Sequence, residues 1–272
     1  MPLDIQIVSD LHTEYWTEKK KFGFFTPAAP ILGLLGDIGC YCGTDNWTSF
    51  KTIIDEIKQL YKYIILVPGN HEYYNENTKL SMQEIDKGLK NYFATINNFY
   101  YLNNASINIT EGKTTYTIVG STLWSFIPED KHKLIKNSMN DYSSIFIESS
   151  SMVRKIVPAD TSNLFKKNYA FIKSKINQAT KRGNKVIIFT HHKPYIKYDD
   201  GYINDNKIMS NIFNAYMSDC TELIKPPVVF WGYGHCHIKD DRLINGVRLY
   251  SNCKGYPRQR TNFNPCEKIT IK

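Results

Sequence analysis

Seven short apolar runs rich in β-branched residues, spread along 272 residues, constrain this chain most. They are "IQIVSD" (5–10), "ILGLLGD" (31–37), "YIILVPGN" (63–70), "TYTIVG" (115–120), "KVIIFTHH" (185–192), "PVVFWGYGH" (227–235) and "VRLYSN" (247–252). All read as buried strands. Between them, the stretches 47–62 and 163–183 carry apolar residues at helical spacing. The second ends in "KRG", basic residues and then a glycine, which suits a helix C-terminus. Strand–helix alternation predicts an α/β fold with a largely parallel sheet. No linker, low-complexity tract or internal repeat breaks the pattern, so residues 1–272 read as one domain.

Composition narrows the class. Hydrophobic residues make up 42% and charged residues 22%, as in soluble globular proteins. Lys and Arg outnumber Asp and Glu by 34 to 26, and the net charge of +8 suits a phosphate-bearing substrate or an anionic polymer. The basic residues are scattered beyond short clusters at 19–21 and 181–182, so they read as solvated surface rather than a nucleic-acid groove. Six cysteines (Cys40, Cys42, Cys220, Cys236, Cys253, Cys266) form no CxxC pair, which predicts a reduced, cytoplasmic protein. The opening "MPLDIQIVSD" has no basic region followed by an apolar core, and no run approaches a membrane span. Neither a G-x-S-x-G elbow nor a P-loop occurs, so serine hydrolase and NTPase readings lack support.

Most of the strands end in Asp, His, Asn or Gly. Asp10 and His12 sit in "SDLH", Asp37 in "LGDIG", and Asn70 and His71 in "PGNHE". His191 and His192 follow "IIFT", and His235 and His237 close "WGYGHCH". Singly, each has a plain structural use as a helix cap, a turn residue or a hydrogen-bonded core histidine. Five such clusters at five strand ends point instead to one convergent site, because ligands in open α/β sheets bind beyond the carboxyl ends of strands. Mixed carboxylate, imidazole and amide donors suit Mn, Fe, Zn, Ni or Co better than Ca or Mg. Seven donors exceed the need of one tetrahedral ion but suit a close pair of the kind used for in-line phosphoryl displacement. His235 and His237, two apart in an extended segment, would face one side, one imidazole for each ion, with Cys236 turned away into packing.

D-x-H, G-D, G-N-H-E, a strand-end His and G-H-x-H, in this order, resemble the calcineurin-like metallophosphoesterase superfamily over nearly the whole chain. The resemblance implies two facing mixed β-sheets flanked by helices, with a dimetal site at one end. It implies that Asp10, His12 and His237 hold the first metal, that Asn70, His191 and His235 hold the second, and that Asp37 bridges them. A metal-bridging hydroxide would attack phosphorus in line, and His71 would contact the phosphate and protonate the leaving group. Manganese is the metal expected to support activity in vitro. His191 is preferred over His192 because "THHKP" is similar to the family's T-H-x-x-P stretch, which leaves His192 as a neighbour of the site.

The stretches "STLWS" (121–125), "MNDYSSI" (139–145), "NAYMSD" (214–219) and "SNCKGYP" (251–257) resemble a bacterial and phage subgroup. They make Asp141 and Tyr256 candidates for the site mouth. Protein Ser/Thr phosphatases share G-N-H-E but carry an arginine soon after G-D, where this chain has "GDIGCYCG", so that role is disfavoured. The missing arginine also disfavours a dianionic monoester. The expected partner is a small phosphate ester, diesters slightly ahead of monoesters. A nuclease would use Tyr41, Trp47, Tyr73, Tyr74, Trp124 and Tyr256 for stacking, yet aromatics are 14% of the chain and packing accounts for most. A non-catalytic scaffold is disfavoured because every motif position is filled. Residues 121–162 are expected to cap the site, 195–226 to form its other wall, and His132 to be a surface residue.

Overall fold

The computed structural model describes residues 2–16, 26–41, 45–150, 152–196 and 211–271, and all statements below concern these. One sheet has the order β13-β1-β2-β3-β4, built from Leu3–Val8 (β1), Ile31–Leu35 (β2), Tyr63–Val67 (β3), Phe99–Tyr101 (β4) and Lys268–Ile271 (β13). The second has the order β11-β12-β10-β9-β6-β5. Its strands are Ala105–Glu111 (β5), Thr114–Ser121 (β6), Lys185–Thr190 (β9), Val228–Tyr233 (β10), Lys239–Ile244 (β11) and Val247–Asn252 (β12). The seven strands read from the sequence form the parallel interiors of the two sheets. Antiparallel β13, β5 and β11 sit at the edges, which makes both sheets mixed.

Each strand feeds two cores because successive side chains point to opposite faces. Ile5, Ile7, Ile31, Leu35, Ile65 and Val67 meet Ile118, Ile187, Phe189 and Phe230 between the sheets. Val8, Leu32, Leu34, Ile64 and Leu66 face outward onto α1 (Asp45–Ile57) and α2 (Met82–Phe93). On the far side, Val186, Ile188, Trp231 and Leu249 pack on α5 (Pro158–Arg182) through Ile172, Ile176 and Ala179. Strands buried on both faces explain the continuous apolar runs, and each fully buried Ile or Leu contributes ~1.5–3 kcal/mol.

Both sequence-read helices are present with shifted ends. α1 stops at Ile57, five residues before the expected end. α5 begins at Pro158, five before the expected start, with Pro in the first turn and the Asp160 carboxylate accepting the Val157 N–H at 2.9 Å. α2 was missed, although Ser81 and Glu84 form a reciprocal capping box at its start. The stretch 121–162 folds as α3 (His132–Ser138), α4 (Asp141–Ser144) and the hairpin β7 (Phe146–Ser149) with β8 (Met152–Lys155).

The predicted strands overran by two or three residues at the ends that carry the chemistry. β3 stops at Val67 and β10 at Tyr233, so Asn70, His235 and His237 lie in loops. Asp10, His12, Asp37, His235 and His237 all hold a positive φ between 49° and 66°. The extended-strand argument for His235 and His237 is therefore corrected, since both occupy left-handed turns. Cys236 does pack away from them, buried beside Met217. His132 is half-buried, with its Nε2 at 3.1 Å from the Ile127 carbonyl. Among the described residues, no helix is long and apolar enough to cross a membrane.

Candidate metal centre

The loops after β1, β2, β3, β9 and β10 meet at one end of the sandwich. Backbone bonds lock them together: Asp10 N donates to Gly36 O at 3.0 Å, His12 N to Asp37 O at 2.9 Å, and Gly234 N to His191 O at 2.9 Å. The Glu72 carboxylate, fully buried, accepts N–H groups from Gly69 (2.6 Å), Ile38 (2.8 Å) and Asp37 (2.9 Å). It thereby clamps the β2 loop to the β3 loop. Sequence reasoning quoted Glu72 inside G-N-H-E without giving it a task.

Two groups of donor atoms form within this frame. In the first, His12 Nε2 and His237 Nε2 are 3.0 Å apart and Asp10 Oδ1 is 3.3 Å from His237 Nε2. In the second, His191 Nε2 is 3.0 Å from Asn70 Oδ1, 3.1 Å from His235 Nδ1 and 3.4 Å from Asp37 Oδ1. Asp37 reaches toward the first group as well, its Oδ2 lying 3.9 Å from His12 Nε2. The structure thus brings together Asp10, His12, Asp37, Asn70, His191, His235 and His237, and places His71 beside them.

The hydrogen bonds on the outer side decide what the inner atoms offer. His12 Nδ1 faces Glu14 Oε1 at 3.0 Å, His237 Nδ1 faces Gln259 Oε1 at 2.8 Å, and His191 Nδ1 faces the Leu35 carbonyl at 2.8 Å. All three partners only accept, so these nitrogens carry hydrogen and each Nε2 is left with a lone pair. The Asn70 amide donates to Asp141 Oδ1 at 2.8 Å, which turns its Oδ1 inward. Imidazole nitrogens, an amide oxygen and carboxylate oxygens converging at 3.0–3.4 Å form a donor set that a shared cation would satisfy at once. A divalent metal fits both groups.

Charge tells the same story. Burial pushes the Asp37 carboxyl up, but the surrounding His191 and His71 imidazoles hold it well below its usual range. Burial pushes the Asp10 carboxyl up as well, but the His237 and His191 imidazoles beside it bring it down to about 2. Burial opposes protonation of His71, yet the Asp37 and Glu14 carboxylates raise it to about 9. Carboxylates that must draw protons onto neighbouring imidazoles mark a cluster short of positive charge.

His192 stays out of the cluster. Its ring packs against His235 at 4.2 Å and Trp124 at 5.3 Å, its Nδ1 has no partner, and burial pushes it down to about 3. Asp141 is buried and accepts from both Asn70 and the Tyr74 hydroxyl (2.6 Å), so it supports the site from behind. Tyr256 lies at the mouth, its hydroxyl 3.3 Å from His71 Nε2 and its ring 4.4 Å from that of His12. Beside the centre opens a pocket of about 260 Å³ lined by Tyr74, Ser138, Met139, Asn140, Tyr216 and Tyr256 as well as the donor residues. The expected cap reaches it through residues 138–140, and the expected second wall through Tyr216; residues 197–210 of that wall lie outside the described residues. Of the stacking candidates, Tyr73 and Trp124 are core, Tyr74 and Tyr256 line the pocket, and Tyr41 is half-buried. The Trp47 side chain and Cys42 lie outside the description, and Cys40 is buried. Sequence reasoning missed Glu14 and Gln259 and named Tyr74 only as a stacking candidate; only the D-x-H-x-E spacing of Glu14 offered a signal.

A two-sheet sandwich whose loops gather carboxylates, imidazoles and an amide into paired donor groups defines a metal-dependent hydrolase. The calcineurin-like phosphoesterase family model matches residues 3–239, and the chain belongs to that family. It is a metal-dependent phosphoester hydrolase. An uncharacterized protein of Acanthamoeba polyphaga mimivirus is 32% identical over 284 residues, covering 98% of this chain and 96% of its own. The crystal structure of phosphopantetheinyl hydrolase (PptH) from Mycobacterium tuberculosis superposes with a TM-score of 0.72 at 19% identity, covering 94% of this chain and 91% of its own, and shares the fold.

Proposed function

We propose that this single domain is a dinuclear-metal phosphodiesterase acting on a small phosphate ester. Asp10, His12 and His237 would hold one cation, Asn70, His191 and His235 the other, and Asp37 would span both. The observation that carries this reading is the convergence of imidazole, carboxylate and amide donor atoms on two adjacent points, at 3.0–3.4 Å within each group. Bound divalent cations, manganese among them, supply activation of a water and neutralisation of phosphoryl charge. The protein's own residues do the rest. Asp37 Oδ1 accepts the His71 N–H at 2.8 Å and so fixes that residue beside the phosphate position. The Tyr74 ring stacks on the His71 imidazole at 4.1 Å and limits its rotation. His71 Nε2 then faces the pocket and delivers a proton to the departing alcohol, a step worth about 10²–10⁴-fold.

Diester preference is supported by the lining of the pocket. Among the described residues, no Lys or Arg lines it, so nothing there matches the second negative charge of a monoester. Ser138, Asn140 and Gln259 offer neutral hydrogen bonds, and Tyr74, Met139 and Tyr216 offer apolar surface, to an uncharged alcohol arm. The phosphopantetheinyl hydrolase named above makes an amide-bearing, uncharged arm a reasonable first candidate. A cytoplasmic setting is supported by the buried thiols of Cys220 and Cys253, which form no disulfide. The test strips the protein with chelator, restores Mn, Zn, Fe, Ni or Mg singly, counts bound metal, and assays paired nitrophenyl phosphate mono- and diesters. Two cations per chain with diester turnover sustains the proposal. Turnover of monoesters alone overturns the substrate preference, and fewer than two cations at full activity overturns the dinuclear assignment.

A further inference from the structure

Glu14 has no place in the motifs, yet its carboxylate joins two imidazoles at the centre. It lies in the turn Thr13–Tyr15 directly after His12, a turn pinned by His12 N to Asp37 O at 2.9 Å and Thr13 N to Ile38 O at 3.1 Å. Its side chain is 6% exposed. One oxygen, Oε1, meets two imidazoles at once, His71 Nδ1 at 2.7 Å and His12 Nδ1 at 3.0 Å. The other oxygen is buried with no partner, so this carboxylate serves nothing else. The two rings it joins lie 4.4 Å apart, nearly perpendicular.

We propose that Glu14 is the positioning residue of the leaving-group acid: it holds the His71 ring by Nδ1, aims Nε2 into the pocket, and ties that ring to the metal-ligand candidate His12. This rests on the reading of His71 as the acid. Three contacts leave His71 a single working direction: Glu14 on Nδ1, the Tyr74 face on one side, and the His12 ring on another. What remains is Nε2, 3.3 Å from the Tyr256 hydroxyl and open to the substrate pocket. In the reaction, water oxygen bonds to phosphorus as the bond to the leaving oxygen breaks. The leaving oxygen takes the Nε2 proton, and the water proton passes to solvent. His71 ends neutral, still donating Nδ1–H to Glu14. A charge-assisted bond to a buried carboxylate holds that geometry more firmly than a neutral one.

The experiment compares wild type, Glu14→Gln, His71→Ala and the double variant on aryl phosphodiesters ranging from 2,4-dinitrophenyl to phenyl leaving groups, with metal counted in each. Glu14→Gln keeps size and an acceptor for His12, so both cations should remain. Its rate should fall by about 10²-fold for phenyl and less than about threefold for 2,4-dinitrophenyl, and the double variant should be no slower than His71→Ala. Should Glu14→Gln lose metal, Glu14→Asp, which cannot reach both rings, carries the same comparison. An equal loss for every leaving group, or a double variant slower than His71→Ala, would make Glu14 a structural support and overturn the inference. A third cation lost with Glu14 would overturn it too, by making Glu14 a ligand. If His71→Ala itself shows no leaving-group dependence, the acid reading fails first and the role of Glu14 falls with it.

Discussion

At Gly69 the centre has no room for enlargement. It sits in the turn after β3, against the Asp37 carboxylate. A Cβ there would lie 2.2 Å from Asp37 Oδ1, 2.7 Å from Asp37 N and 2.8 Å from His191 Cε1. Comfortable contact needs about 3.5 Å, so the first distance is short by roughly 1 Å. No loose end can yield. Asp37 is 1% exposed and His191 0%, and the Asp37 amide is bound to Glu72. Gly69→Ala should therefore cost ~1–3 kcal/mol by overpacking. The larger effect is positional, because a carboxylate displaced by about 1 Å costs on the order of 10²-fold in rate. Gly183→Ala is the comparison. Gly183 ends α5 with φ +68° and nothing within 4 Å of an added Cβ. It should lose ~1 kcal/mol of stability and no turnover. Diester turnover and bound metal, measured beside urea unfolding, separate the two variants. If Gly69→Ala keeps both cations and turns over within about threefold of wild type, the claim that Asp37 must hold its place is wrong.

Glu72→Ala removes the acceptor of N–H bonds from Gly69, Ile38 and Asp37 at 2.6–2.9 Å. Unmet buried donors cost ~1–3 kcal/mol each, so urea unfolding of the metal-stripped protein should show a loss of ~3 kcal/mol or more, and under ~1 would refute the clamp. Asp160 accepts from Val157 N and pairs with Arg154, and although burial raises its carboxyl, these partners bring it below the usual value. A depressed folded-state value gives stabilisation that is fully present above pH ~4, so Asp160→Ala should cost ~1–2 kcal/mol at neutrality, with the difference from wild type shrinking as pH falls below ~4. A pH-independent difference would show that the charge does not matter. Adding Mn to stripped protein at about a hundred times its dissociation constant should stabilise by ~2.7 kcal/mol, and Asp37→Asn should lose most of that rise in melting temperature. An unchanged rise in Asp37→Asn would remove Asp37 from the ligand set.

The sequence made the sheet interiors legible because strands buried on both faces leave continuous β-branched runs that survive without any partner information. The edges were not legible. β5, β11 and β13 are half-exposed, so their pattern is mixed and their pairing depends on what lies beside them. α2 carried a readable signal in Ser81 and Glu84, which was overlooked because neither apolar run read as a strand, 63–70 or 115–120, lies close to it. The donor residues were legible as types and in order. Their backbone was not, since five of them adopt left-handed φ that side-chain identity does not announce.

That backbone explains a spacing the sequence could only pose. His235 and His237 belong to different donor groups, with His235 Nδ1 near His191 and His237 Nε2 near Asp10 and His12. An extended strand would set the two rings parallel and about 6.5–7 Å apart along one face. Two left-handed residues flanking Cys236 instead turn the chain while Cys236 is buried beside Met217 and anchors the turn. His235 N binds the Asp10 carboxylate at 3.1 Å, so the loop of one sheet is fixed by a donor from the other. Each donor group draws on both sheets: Asp10 and His12 with His237 in one, Asn70 with His191 and His235 in the other. Neither group exists until the sheets have packed, and the outer partners of the donors, Glu14, Leu35, Gln259 and Asp141, come from separate segments of the chain as well. The cost of five strained residues and a buried cluster of like-polarity atoms is offset by the packed core and, when bound, by the cations. Substrate preference can then change through residues 138–140 and Tyr216, which line the pocket, without disturbing that arrangement.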